Sequence, residues 1–364
     1  MLNTAYTPPW WLSNGLAMTL YTAYRGETLA RPALASPLPY QPQVFIGALG
    51  TPIYGLIAIP PNAHSTVVAT YGITGSLDNQ WFLHLLAQKA YAQGYAIALF
   101  DWRAHGQTAV LSPALTSDGI YEGEDFVRIA AAAKQLGCPA PFWFTAYSLG
   151  GQLVFWAIKA AQTLDQWGTD LELTATEIAG GAVICPSLES TRSFQYLQRS
   201  AIGRRLEQAI ARQLQRLAWQ LHEYHPTAIA AAAIDRIHDI WSFDQELVIE
   251  SLGFDSVAAY YQATSGLYQL SALQKPTLIL YAADDPLFDP MLIPELQASC
   301  AANPYLDLCL TQQGGHVGYL SSRQNQRQLG DRDGWWAWNR VLDWIAAQPQ
   351  TRTPQPLATA PCPP

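Results

Sequence analysis

Charge is scarce in this 364-residue chain. Asp, Glu, Lys and Arg make up only 13% of it, about half the usual share, so Gln, Ser, Thr and Asn must cover much of the surface. The balance is acidic, with a formal charge of −8, which argues against a nucleic-acid-binding face. The five cysteines, at 138, 185, 300, 309 and 362, form no CxxC and share no spacing. An odd, scattered set suits neither a disulfide scaffold nor a zinc site. No uncharged apolar run approaches the roughly 18–20 residues of a spanning helix; the stretch 153–161, for example, is broken by Lys159. The opening Met1-Leu2-Asn3-Thr4-Ala5-Tyr6 lacks the basic and apolar regions of a signal peptide. The expected location is the cytoplasm.

Apolar mass, in contrast, is ample: 49% of residues are hydrophobic and 12% aromatic, enough for one large core or two ordinary ones. Residues 1–40, with Pro8-Pro9-Trp10-Trp11, read as an irregular arm packed on the core, because buried aromatics need a partner surface. Residues 44–49 and 53–59 form a candidate hairpin around Gly50-Thr51-Pro52. Short apolar runs at 66–71, 95–101, 142–146, 181–186, 277–282 and 305–311 read as strands. Helical patterns at 79–93, 122–136, 149–163 and 334–347 separate or follow them, which predicts a mostly parallel sheet covered on both faces. The tryptophans at 335, 336, 338 and 344 would anchor the last helix to that sheet.

Residues 187–265 break the alternation with successive helices, one carrying Leu206, Ile210, Leu214, Leu217 and Leu221 at helical spacing. This reads as a helical cap inserted between two strands. The core then comprises 41–186 and 266–347. The tail 348–364, with six prolines from 349 on, is expected to be disordered.

The chemistry gathers at three places. The strand ending at Ala146 runs into Tyr147-Ser148-Leu149-Gly150-Gly151 and then a helix, the context of a nucleophile elbow. Small residues are required two before and two after the serine because the turn is tight; here they are Ala146 and Gly150. The plainer reading is a serine capping the helix N-terminus. A serine hydroxyl needs a base to take its proton and a carboxylate to orient that base. Asp284-Asp285 follow the strand 277–282, and His316 sits in the Gly-flanked loop Gly314-Gly315-His316-Val317-Gly318 after the strand 305–311. The order Ser148, Asp285, His316 is that of an acyl-transfer triad at the C-terminal ends of a parallel sheet. Adjacent side chains point apart, so only one of the two acids can face the imidazole; Asp285 is the choice and Asp284 the alternative. Oxyanion donors are expected from the backbone N–H of Leu149 and of Ile73, the latter in Tyr71-Gly72-Ile73-Thr74-Gly75-Ser76. Tyr71 and Tyr147 are candidate pocket residues, and His105 is structural or pocket-lining.

With these elements in place, the chain resembles the YheT-like, or hydrolase-4, branch of the α/β-hydrolase superfamily over about residues 6–347. The resemblance rests on the Pro8-Pro9-Trp10-Trp11-Leu12 arm through Thr19, the Gly72–Ser76 loop, Ser148-Leu149-Gly150-Gly151 and the pattern Phe243-Asp244, Gly253-Phe254, Tyr260-Tyr261. Asp284-Asp285-Pro286 and the loop of His316 complete it. The superfamily's acid sits three residues beyond the position of Ala282, which also favours Asp285. Tyr71 stands where most relatives carry His, Ala146 replaces the elbow's first Gly, and Leu49-Gly50-Thr51-Pro52 stands where relatives often have Asp-Gly and looks structural.

The resemblance implies an α/β-hydrolase fold and carboxylic-ester hydrolysis through an acyl-enzyme, with no metal or organic cofactor. Small-molecule or lipid esters are the expected substrates. Amide or thioester hydrolysis, acyl transfer on the same triad, and a non-catalytic binding protein are the alternatives. The arginines at 192, 199, 204, 205, 212 and 216 raise peripheral membrane contact through the cap. The preferred reading packs the Leu/Ile stripe on the core and leaves the arginines solvated. The sequence is silent on oligomeric state.

Overall fold

The computed structural model describes residues 5–349; the Pro-rich tail from residue 350 on, expected to be disordered, lies outside them. Eight strands form one sheet: β1 (Gln41–Ile46), β2 (Pro52–Ala58), β3 (Ser65–Ala69), β4 (Tyr95–Phe100), β5 (Phe142–Tyr147), β6 (Ile178–Ile184), β7 (Thr277–Ala282) and β8 (Leu306–Thr311). Their spatial order is β1-β2-β4-β3-β5-β6-β7-β8. β1 and β2 make the predicted hairpin, β2 lies antiparallel to β4, and β3 to β8 run parallel. The hairpin connection is structural, as expected. The buried Arg103–Asp125 pair holds it, with Asp125 Oδ1 accepting from the Ala48 N–H at 2.7 Å and Arg103 Nη2 donating to the Ala48 carbonyl at 2.8 Å.

The parallel strands read as continuous apolar runs because both faces are covered. The long helices are α1 (Gly15–Leu34), α2 (Trp81–Ala92), α3 (Glu122–Gln135), α4 (Leu149–Gln162), α5 (Ser190–Gln198), α6 (Ala201–Tyr224), α7 (Val257–Thr264) and α8 (Trp336–Ala347). On β5, Trp143 and Tyr147 meet Trp344 and Trp338 of α8, with ring centroids 5.6 and 5.7 Å apart. Phe144, on the opposite face, meets Phe126 of α3 at 5.2 Å. The C-terminal tryptophans do anchor α8: all four are buried, and Trp344 Nε1 donates to Asp307 Oδ2 at 2.8 Å.

The first forty residues differ from the irregular arm the sequence suggests. They contain α1, twenty residues long, capped by the Asn14 side chain, which accepts from the Ala17 N–H at 3.1 Å. Three residues hide this helix from a sequence reading. Gly15 and Gly26 look like breakers but serve close packing: a Cβ at Gly26 would lie 2.2 Å from the Trp81 ring. Pro32 falls so near the end that only the last turn loses a hydrogen bond.

Between β6 and β7 the chain leaves the sheet. After α5, the helix α6, the short helices Ala231–Ile234 and Ile240–Phe243, a π-helical turn at Asp244–Val248 and α7 gather an apolar cluster that includes Leu214, Leu221, Phe243, Val248 and Tyr260. α6 turns Leu214, Leu217 and Leu221 inward and leaves Arg204, Arg205, Arg212 and Arg216 exposed. No helix among the described residues is long and apolar enough to cross a membrane.

Topology explains where a site can form. The chain passes from β3 to β4 on one side of β3 and returns with β5 on its other side. Loops leaving β3 and β5 therefore diverge at the C-terminal edge of the sheet and open a crevice there.

Trp338 is 1% exposed and joins α8 to both Phe82 and Tyr147. Trp338→Ala should lower unfolding free energy by about 3–5 kcal/mol, read as a lower urea midpoint at unchanged slope.

Candidate active site

Ser148 stands at the end of β5 with φ 56° and ψ −134°, a strained conformation for a residue with a Cβ. Three backbone bonds hold it. Its N–H donates to the Ile184 carbonyl at 3.0 Å, and its own carbonyl accepts from Gly151 at 2.9 Å and Ser187 at 3.1 Å. The surrounding glycines give it room: a Cβ at Gly150 would lie 2.2 Å from the Tyr71 carbonyl oxygen, and one at Gly72 would lie 2.7 Å from Ser148 Cβ. The same Gly150 Cβ would be 3.1 Å from Ala146 Cβ, so Ala146 is accommodated where most elbows carry Gly. The helix-cap reading of Ser148 fails, because its side chain makes no capping bond.

The hydroxyl faces His316 instead. Ser148 Oγ lies 2.9 Å from His316 Nε2, and His316 Nδ1 lies 2.8 Å from Asp285 Oδ2. The other oxygen of Asp285 accepts from the Leu287 N–H at 2.9 Å. Asp284 points elsewhere and accepts from the Gly315 N–H at 2.9 Å. With Nδ1–H donated to Asp285, Nε2 is left to accept the Ser148 proton.

The histidine loop is held by α1, a contact between distant segments that no local pattern announces. The His316 N–H donates to Thr19 Oγ1 at 2.8 Å, and that hydroxyl donates to the Gly15 carbonyl at 2.8 Å. Contact is so close that a Cβ at Gly15 would lie 1.8 Å from the Asp284 carbonyl oxygen. Cys185, also without a sequence signal, is buried directly behind the site, with Sγ, Asp285 and His316 donor atoms within 4.8 Å of one another. Burial, then the nearby Asp285, hold its thiol well above the ordinary range, so it remains neutral.

Ile73 and Leu149 flank Ser148 and line one cavity with it. Among the described residues, neither backbone N–H has a protein acceptor. Tyr71 does not line that cavity, contrary to expectation. It is fully buried, and its hydroxyl donates to Asp101 Oδ1 at 2.5 Å, where the Leu77 N–H also donates at 2.7 Å. Tyr71 thus fixes the loop from behind. The sequence could not reveal this, because its partner lies thirty residues away on another strand end. Tyr147 does border a cleft beside Ser148, its hydroxyl donating to Gln80 Oε1 at 2.5 Å.

The cavity holding Ile73 and Leu149 lies under α5 and α6 and is walled mainly by apolar side chains such as Phe194, Leu197, Ile210 and Leu214. Part of its wall is polar. Asp118, on the loop before α3, and Asp244, on the π-helical turn, both border it, and the Tyr261 hydroxyl donates to Asp244 Oδ2. Burial, reinforced by Glu122, pushes the Asp118 carboxyl up to about 7; burial and then Asp118 push Asp244 well above the carboxylate range. The Phe243-Asp244 and Tyr260-Tyr261 pattern is the only sequence trace of this cluster. His105 also lines the cavity, stacked on Trp102 at 3.9 Å, with Nδ1 2.7 Å from the Arg103 carbonyl. Burial lowers it to about 4, so its ring is neutral. It is both structural and pocket-lining, and outside the serine constellation.

Comparison with known proteins agrees with this fold. The model of the alpha/beta hydrolase family matches residues 72–329. A candidate esterase of Synechocystis sp. is 51% identical over 346 residues, covering 93% of this chain and 94% of that protein. The candidate esterase YheT of Escherichia coli is 25% identical over 282 residues, 77% of this chain and 76% of its own. Among solved structures, an esterase from Pyrococcus furiosus superposes with a TM-score of 0.52 at 14% identity, covering 87% of this chain and 92% of that one, a likeness of fold.

The buried acids give a pH signature. Asp118 has a raised folded-state value, from 3.8 to about 7, so its stabilising contribution is complete below about pH 4 and is lost as pH rises through 7. Asp118→Asn stays neutral throughout and can still accept from the Thr116 hydroxyl. The melting temperature of the variant relative to the wild type should therefore rise by a few degrees between pH 4 and pH 8, checked by calorimetry across that range. A flat difference would mean that Asp118 is already charged in the fold.

Proposed function

The chain belongs to the alpha/beta hydrolase family, in its YheT-like branch, and from that premise we propose that it cleaves carboxylic esters by two-step acyl transfer through Ser148, His316 and Asp285. The observation that carries the proposal is the continuous chain Ser148 Oγ–His316 Nε2–His316 Nδ1–Asp285 Oδ2, with links of 2.9 and 2.8 Å. His316 takes the Ser148 proton as Oγ attacks the ester carbonyl. Asp285 holds the imidazole in the tautomer that can accept and stabilises the cation that forms. The Ile73 and Leu149 amides, without a protein acceptor among the described residues, receive the oxyanion. The alcohol leaves with the proton from His316, and water enters by the same route to release the acid.

Residues 187–265 act as a cap in this reading, and the apolar cavity beneath them takes the acyl chain. Its walls favour medium-chain or lipid acyl groups over acetyl, since each buried methylene is worth about 0.8 kcal/mol, or roughly fourfold in binding.

p-Nitrophenyl esters from acetate to palmitate test both points. The kcat/KM should rise from acetate to a longer optimum. Ser148→Ala should abolish turnover by a factor on the order of 10⁴ or more, and Asp285→Asn should lower it by about 10⁴ at unchanged KM. A fluorophosphonate should label the wild type and not Ser148→Ala. A folded wild type that neither turns over esters nor takes the label would turn the assignment to a binding protein.

A further inference from the structure

Most of the cavity beside Ser148 is apolar, yet two aromatic side chains on its wall carry polar atoms that the protein leaves unmet. Trp102 and His105 both border the cavity and are only 1% and 2% exposed. His105 Nδ1 lies 2.7 Å from the Arg103 carbonyl. A carbonyl only accepts, so Nδ1 holds the proton and Nε2 is left as an acceptor. Trp102 Nε1 can only donate. Neither Trp102 Nε1 nor His105 Nε2 has a hydrogen-bond partner among the described residues. The two rings stack with centroids 3.9 Å apart, so donor and acceptor stand side by side. Buried polar atoms are as a rule paired, and an unpaired one costs more than a typical bond returns.

A hydroxyl is the smallest group that answers both nitrogens, because it accepts from Trp102 Nε1–H and donates to His105 Nε2. A carbonyl meets only the first, an ammonium only the second, and a methylene neither. The polar wall nearby suits a neutral guest. Asp118 accepts from the Thr116 hydroxyl at 3.2 Å and Asp244 from that of Tyr261, and burial holds both carboxyls toward their neutral forms. Sheet order gives the position along the chain. Trp102 and His105 follow β4, Ser148 follows β5, and β3 lies between those strands. Two strand spacings are about 10 Å, so the pair meets the far part of an acyl chain, beyond the carbons next to the ester carbonyl.

We propose that Trp102 and His105 form a hydroxyl-binding subsite in the acyl cavity, so that the preferred acyl group carries a hydroxyl well along its chain. The inference rests on the serine-hydrolase reading above and adds the acyl-group class to it.

The test fixes the leaving group and varies the chain. With the full-length enzyme, kcat/KM is measured for p-nitrophenyl decanoate, for its 3-, 6-, 8- and 10-hydroxy derivatives, and for the 10-amino derivative. At least one of the 6-, 8- and 10-hydroxy esters should exceed decanoate by threefold or more, and the 3-hydroxy ester should fall below it. Trp102→Phe removes the donor and His105→Phe the acceptor, and both keep an aromatic ring in the stack. In each, the ratio of the best hydroxy ester to decanoate should fall about 3- to 10-fold, the worth of one neutral hydrogen bond. Decanoate turnover in the same variant shows that it has folded, and the wild-type panel decides alone should neither variant fold. Decanoate preferred over every hydroxy ester, the amino ester preferred over all, or a ratio unchanged in both variants overturns the subsite and leaves the triad standing. So does fluorophosphonate labelling of Ser148 without turnover of any of these esters. Absence of all turnover, with Ser148 unlabelled, overturns both readings together.

Discussion

The site depends on one backbone constraint, the left-handed turn at Ser148. A non-glycine residue at φ 56° costs on the order of 1–3 kcal/mol and persists only where its surroundings leave no alternative. Here β5 delivers the chain in register with β6, Tyr147 opposite Ile184, and α4 must start at once because Gly150 and Gly151 lie against Tyr71 and Pro186. A relaxed Ser148 would need β5 or α4 to move, and both are locked into the largest apolar cluster. The result lifts Oγ out of the sheet edge and presents Leu149, the first residue of α4, with an N–H that no helical carbonyl can satisfy. The proposed nucleophile and oxyanion donor are thus two consequences of a single turn.

The second constraint comes from outside the sheet. Four of the six residues of the His316 loop, Gly314, Gly315, Val317 and Tyr319, have positive φ. Such a loop has little intrinsic preference for one shape. α1 supplies the shape, with Gly15 against Asp284, the Thr19 hydroxyl on the His316 N–H, and Met18 and Thr22 so near Gly318 that a Cβ there would lie 2.6 and 3.1 Å from them. The N-terminal helix therefore positions both the acid loop and the histidine loop, although it contributes no atom to the hydrogen-bonded chain itself.

What the sequence made legible follows from this division. Strands and helices of the sheet have local periodicity, and each of the four core helices lies within two residues of its expected bounds. Ser148 and His316 sit in turns whose chemistry is also local, so they could be picked out; alternation said that only one of Asp284 and Asp285 could face the histidine, and the family resemblance favoured Asp285. The misread elements all depend on distant partners. α1 looks irregular until Trp81 is seen filling the space at Gly26. Tyr71 looks like a pocket residue until Asp101 is seen to hold its hydroxyl. Asp118 and Asp244 come together only when the helices between β6 and β7 fold back over the loop before α3, a contact with no periodicity to announce it.

Those distant contacts also set the electrostatics at the serine. Asp118 and Asp244 border the cavity but are held toward their neutral forms by burial, His105 is kept neutral by the same cause, and the Cys185 thiol stays protonated. Each could have placed a charge beside the reacting carbonyl; none does at mildly acidic pH. Residues that water would otherwise screen are enclosed by α6 and the π-helical turn, so the local dielectric falls and the two free backbone N–H groups act more strongly on developing negative charge than they would in water. The helices over the sheet therefore do more than shape a cavity. In the proposed reaction, by keeping the acids of the cavity neutral they leave the electrostatic work to two fixed peptide dipoles that need no reorganisation when the oxyanion forms.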